Sequence, residues 1–192
     1  MAWTNPLTWE TEQVVSASDL NTHLRDNLKY MKGRVLAQWP AHALAIGESN
    51  AADGPDVSSV ISGAASEYLF ADDADQKVYG YFAAPQDFAG DTPLVVRLYW
   101  SAAATTGTVR WKAGILAWGS GEAMTGSHAG TGVTADVSTT TNQLAVTAIT
   151  ITNPGIAAND LICLEIERQA ATNTPDTMSG DARLHFVQLE VG

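Results

Sequence analysis

At 192 residues and 45% hydrophobic content the chain holds enough apolar side chain for one core with an appendage, which excludes disorder throughout. Its formal charge of −11 is uneven: residues 1–40 balance Arg25, Lys29, Lys32 and Arg34 against Glu10, Glu12, Asp19 and Asp26, leaving six basic and seventeen acidic side chains beyond them. Such a body repels nucleic acid and anionic lipid and reads as solubility at high copy number, while the absence of an apolar run of about 18 residues excludes a membrane-spanning helix.

The first segment lacks the basic-then-apolar layout of a secretory signal, so the expectation is a soluble chain made in a cytoplasm. It carries an apolar arm, Trp3, Leu7 and Trp9, suited to a hydrophobic groove. Ser16-Ala17-Ser18-Asp19 then sets a hydroxyl cap against an acidic residue three positions on, which predicts a helix over 16–37. Its apolar residues are Leu20, Leu24, Leu28, Met31 and Val35; the last four share one seam, with Arg25, Lys29, Lys32 and Arg34 off it. A helix of about five turns is marginal alone. The seam therefore predicts burial in a short coiled coil or a partner's groove, with packing on the following domain as the alternative.

Pro40 ends that helix. Residues 41–66, rich in Ala, Gly, Ser, Asn and Asp, read as a linker. From residue 67 to 192, short apolar runs alternate with turn chemistry: 68–71, 77–83, 94–101, 108–118, 143–152, 161–168 and 182–191. Seven or eight strands without a second helical pattern predict an all-β fold, an antiparallel jelly-roll β-sandwich preceded by an extended arm and one N-terminal α-helix. The expected interior is Val96, Leu98, Trp100, Val109, Trp111, Ile115, Val146, Ile162, Leu164, Ile166, Phe186 and Leu189, with Trp118 also read as core.

Chemistry-bearing patterns are sparse. No Gly-x-Ser-x-Gly elbow occurs, His23, His42, His128 and His185 are scattered, and His185 reads as a structural or solvated strand residue, so no catalytic residue and no enzyme is expected. Cys163 reads as a small buried strand residue. Asp72, Asp73 and Asp75 crowd three carboxylates into one loop, but their spacing departs from a calcium loop and lacks its closing Glu, so an ordinary turn is expected and no metal. No zinc or nucleotide-phosphate pattern implies a cofactor. Glu165 and Glu167 share one strand face, as a glycosidase pair would, yet read more simply as a wet face screened by Arg183 or Arg97.

Thr8-Trp9 and the run from Gln13 to Leu28 resemble the N-terminal attachment segment of tailed-bacteriophage fibre and decoration proteins. Leu98-Tyr99-Trp100, the run from Gly107 to Trp111, Glu167-Arg168 and the run from Pro175 to Leu184 are similar to jelly-roll domains of phage head and tail appendages. The resemblance implies a non-enzymatic virion protein, a homotrimer whose residues 1–40 dock on capsid or tail proteins through Trp3, Leu7, Trp9, Leu20, Leu24, Leu28, Met31 and Val35. The role it implies is capsid decoration or head fibre; the alternative is a receptor-binding tail fibre whose loops, 119–132 or 169–181, recognise host surface glycan.

Overall fold

The computed structural model describes residues 16–26, 35–46, 56–57, 66–86, 88, 93–152 and 154–192. The chain forms two compact units, Met1–Val35 and Leu36–Gly192.

In the first unit the expected cap is present. Ser16 Oγ accepts from the Asp19 backbone N–H at 3.1 Å and donates to Asp19 Oδ2 at 2.6 Å. This cap starts α1 (Ala17–Leu20), which widens into a π-helical stretch, Asn21–Asp26. The predicted continuation to Ala37 is wrong. Val35–Pro40 is a strand, β1, that pairs into the sandwich. Tertiary packing overrides the helical period here: Trp39 buries its ring in the core, edge-on to Phe82 at 5.7 Å. Val35 therefore belongs to a strand, and Leu28 and Met31 lie outside the described residues, as do Trp3, Leu7 and Trp9.

The second unit adds β2 (Ala45–Ile46), β3 (Asp56–Val57), β4 (Ser66–Phe70), β5 (Asp75–Ala83), β6 (Leu94–Ala102), β7 (Thr108–Trp118), β8 (Ala129–Asp136), β9 (Ala145–Ile151), β10 (Leu161–Gln169) and β11 (Ala182–Val191). One sheet runs β3-β4-β11-β6-β9, with β1 also on β11; the other runs β2-β5-β10-β7-β8. From β4 onward the chain passes repeatedly between the two, and the result is an antiparallel jelly-roll β-sandwich. The sheets meet through aromatic rings: Trp111 of β7 lies edge-on to Trp100 of β6 at 5.9 Å and to Phe70 of β4 at 5.2 Å.

Alternation places most of the expected interior correctly, with instructive exceptions. Val146 is 51% exposed, because Thr147 takes the inward position and accepts from Trp100 Nε1 at 2.9 Å. Buried Ile149 and Ile151 set that parity, and the buried indole N–H gains the acceptor it needs. Phe186 packs against Tyr99 on the outer face, its rings 5.7 Å apart. A register shift between Leu184 and Phe186 lets Leu184, Val187 and Leu189 all face inward.

The expected linker is partly structural: Ala41 and Leu44 are in the core, and the Leu44 carbonyl accepts from the Tyr68 hydroxyl at 2.8 Å. β8 falls largely within a stretch expected to be loop. Its small residues are required by contact, since a Cβ on Gly130 would stand 2.5 Å from the Ala113 carbonyl oxygen.

Candidate ligand-binding cleft

β5, β10 and β7 lie side by side, and their odd register rows face away from the core. Cys163 pairs with Tyr81 on one side and Leu116 on the other, Glu165 with Tyr79 and Gly114, and Glu167 with Lys77 and Lys112. Period-two alternation puts these side chains on one outer surface.

At one end of that surface is a cleft of about 300 Å³, walled by Ile46, Tyr81, Leu116, Trp118, Met124 and Cys163, with Tyr79 and His128 toward the sheet centre. The connection from β7 to β8 forms its outer wall. Trp118 Nε1 donates to the Thr125 carbonyl at 3.1 Å, and the Glu122 carboxylate accepts from the Gly119 N–H at 2.8 Å, so the arch is tied to the strand it leaves. Gly126 sits at φ +134° with Leu116 3.0 Å from where its Cβ would be, which lets the arch close over the sheet. Tyr81 and Met124 are 52% and 63% exposed, unusual for such side chains unless something covers them. Trp118, expected in the core, is instead part of this wall.

Beside the cleft, Glu165 and Glu167 are 4% and 5% exposed. They are not a wet face, and their partners are not arginines. Lys112 Nζ lies 2.8 Å from Glu167 Oε2 and 3.4 Å from Glu165 Oε1; Lys77 Nζ lies 3.4 Å from Glu165 Oε2 and 3.5 Å from Glu167 Oε1. Burial alone would push the Lys112 ammonium down, but its contacts with Glu167 and Glu165 hold it above the ordinary lysine value. His128 Nδ1 approaches Glu165 Oε2 at 3.5 Å, yet burial wins over that carboxylate and pushes the imidazole down, toward its neutral form. Two ammoniums and two carboxylates thus make a closed ring of ion pairs.

No protein-family model matches this chain, and no curated protein matches it. Among solved structures it is similar to a family 35 carbohydrate-binding module from Clostridium thermocellum, at 7% identity over 82% of this chain and 100% of the module, with a TM-score of 0.46. It is similar as well to a family 36 module in complex with calcium and xylotriose, at 17% identity over 81% and 100%, TM-score 0.40. A third is the isomalto-dextranase of Arthrobacter globiformis T6, at 16% identity over 80% of this chain, TM-score 0.46. The chain spans 23% of that enzyme and 18% of a family 115 4-O-methyl-α-glucuronidase. Likeness this distant says nothing of what this chain binds.

A second polar cluster lies on the outer face of the other sheet. Ser101 Oγ is 2.8 Å from His185 Nε2, and His185 Nδ1 is 3.3 Å from Glu67 Oε2, bent away from hydrogen-bond geometry. The order serine, histidine, carboxylate is that of an acyl-transfer triad. Ser101 is only 2% exposed and sits mid-sheet, so its hydroxyl is shut off from a substrate and the cluster serves as a buried polar tie between β4, β11 and β6. His185 is thus partnered rather than solvated, and burial pushes its imidazole down despite Glu67.

The acidic loop is tied to the loop 169–181 of the same chain. Asp72 accepts from the Gly180 N–H, and Asp75 accepts from the Ala171 and Thr172 N–H groups and the Thr172 hydroxyl. Among the described residues no group of three His, Cys, Asp or Glu side chains is arranged to hold a metal ion. The loop 169–181 is likewise occupied internally: the fully buried Arg168 clamps Asp176 through Nε and Nη2, at 3.0 and 2.9 Å, and donates to the carbonyls of Phe70, Met178 and Gly180. Of the attachment residues, Leu20 and Leu24 are exposed, at 43% and 52%, on the α1 turn and the π-helical stretch.

Sequence reasoning missed Tyr79, Tyr81, Met124 and His128. A signal was present, since Tyr81 and Trp118 sit at outward positions next to apolar inward ones, Phe82 and Ala117. Nothing local says that the two strands flank β10.

Proposed function

We propose that the jelly-roll unit binds carbohydrate in the outer-face cleft, without turning it over, as the distal module of a tailed-phage virion appendage. The observation that carries the binding reading is the cleft itself: exposed Tyr81 beside Trp118 and Met124, over a floor bearing Tyr79, His128 and Cys163. Aromatic faces take the C–H face of a sugar ring, and nearby polar groups meet its hydroxyls. The closed charge ring supports binding over hydrolysis, because both carboxylates are nearly buried and each lies against two lysine ammoniums.

The virion assignment rests on the resemblance of residues 8–28, with residues 1–40 docking on capsid or tail protein and the chain assembling as a trimer. A decoration role without glycan recognition is the second reading, favoured by the exposure of Leu20 and Leu24, which suits burial against another subunit.

Immobilised bacterial-surface glycans, probed with the intact protein and with Tyr81→Ala, test the binding reading. The wild type is expected to bind and the variant to lose about tenfold, with the same unfolding midpoint. Equal binding by both would remove the cleft from the account; no binding by the wild type to any glycan favours decoration.

A further inference from the structure

Resting on that binding reading, the surroundings of the cleft narrow its ligand to one chemical class. We infer that the cleft selects an uncharged saccharide segment and rejects one bearing a carboxylate, sulfate or phosphate.

Three observations converge. First, no lining side chain is a fixed charge: the lining comprises Ala, Ile, Tyr, Leu, Trp, Met, Thr, Gly, His and Cys. Its four titratable members are all displaced toward their neutral forms. Burial, with Glu165 nearby, pushes the Tyr79 hydroxyl up to about 12. Burial raises the Cys163 thiol, and a hydrogen bond with Cys163 raises Tyr81. Burial lowers His128, which is faced by Glu165 of β10, Lys77 of β5 and Lys112 of β7, with the Tyr79 ring 5.6 Å away.

Second, the nearest charges are already spent on one another. An anionic sugar needs an ammonium or guanidinium to replace its lost hydration. Lys77 and Lys112 each span Glu165 and Glu167 within 2.8 to 3.5 Å. Drawing either lysine toward a ligand would strip a nearly buried carboxylate of a partner, which costs more than a surface contact returns. A cationic ligand meets the same ring from the other side, its carboxylates neutralised. Third, the excess of acidic over basic residues beyond residue 40 adds a long-range field that repels anions.

What remains attractive is dispersion and C–H contact on Tyr81 and Trp118, with neutral hydrogen bonding at the floor. Both are insensitive to salt.

The test uses the intact protein and pairs of oligosaccharides that differ only by oxidation of one hexose hydroxymethyl to a carboxylate, titrated calorimetrically at low and high salt. The expected result is at least about tenfold tighter binding of the neutral member, an affinity unchanged by salt, and no change between about pH 7 and 8. Acidic members binding as tightly or more tightly, or an affinity that falls steeply with salt, overturns the inference while leaving the glycan reading intact. No binding of any member overturns the glycan reading and this inference with it. Glu165→Gln, which leaves ammonium charge uncompensated beside the cleft, is expected to narrow the neutral-over-acidic ratio severalfold; an unchanged ratio in a folded Glu165→Gln protein overturns the role given to the ring.

Discussion

Thr147 shares the inward face of β9 with buried Ile149 and Ile151, and there its hydroxyl satisfies the indole N–H of Trp100, so Val146, expected inside, lies outside. Apolarity residue by residue ranks Val146 above Thr147; the parity set by Ile149 and Ile151 reverses the order, and the hydrogen bond satisfies the hydroxyl that this buries. Thr147→Val keeps shape and removes the acceptor, so it should cost about 1–3 kcal/mol in urea unfolding, and a neutral effect would deny the bond its role. Arg168 is the stronger case. Its guanidinium is fully buried and donates to Asp176 and to three carbonyls, with the Asp176 side chain 2% exposed. Arg168→Met strands that carboxylate and should cost about 3–5 kcal/mol, part of which Asp176→Leu in the same chain should restore. Its inward position is legible in the alternation of Ile162, Leu164 and Ile166; its partners are not, since 98 residues separate Arg168 from Phe70.

At the scale of elements, β6, β7, β10 and β11 were readable within a residue or two, because each alternates over nine or more residues and is closed by turn chemistry. β8 was not. Gly130 and Gly132 are dictated by the backbone of β7 and the Arg110 side chain, contacts invisible in a local window. β1 was lost to a helical period carried on through Val35 and Ala37, which lie in the strand. The distinction has a measurable consequence: a chain starting at Val35 keeps Trp39 and should unfold cooperatively near the intact midpoint. One starting at Ala41 loses β1 and a buried tryptophan packed on Gly80 and Phe82, at a cost of about 3–5 kcal/mol or more. Equal stability of the two would place β1 outside the cooperative unit.

For the whole molecule, two histidines are held neutral by burial, His185 between Ser101 and Glu67 and His128 beside the charge ring. Both carry folded-state pKa values below the unfolded one. Above about pH 6.5 they are neutral in either state and cost nothing; below it the unfolded chain takes up protons that the folded chain resists. Stability should therefore be flat from about pH 7 to 8 and fall as pH drops from about 6.5 to 5, with His185→Gln shallowing the slope. A urea midpoint that rises on acidification contradicts this assignment.

The sandwich was legible as a class because its turns and alternation are local. The cleft was not, because it is assembled from outward side chains of β5, β7 and β10 and from an arch whose residues look like any polar loop. The most direct measurement is amide chemical-shift mapping of the intact protein titrated with its tightest-binding neutral oligosaccharide. The account predicts perturbations concentrated at Tyr79–Tyr81, Leu116–His128 and Cys163; perturbations confined to the loop 169–181 or to the outer face of the β4-β11-β6 sheet would contradict it.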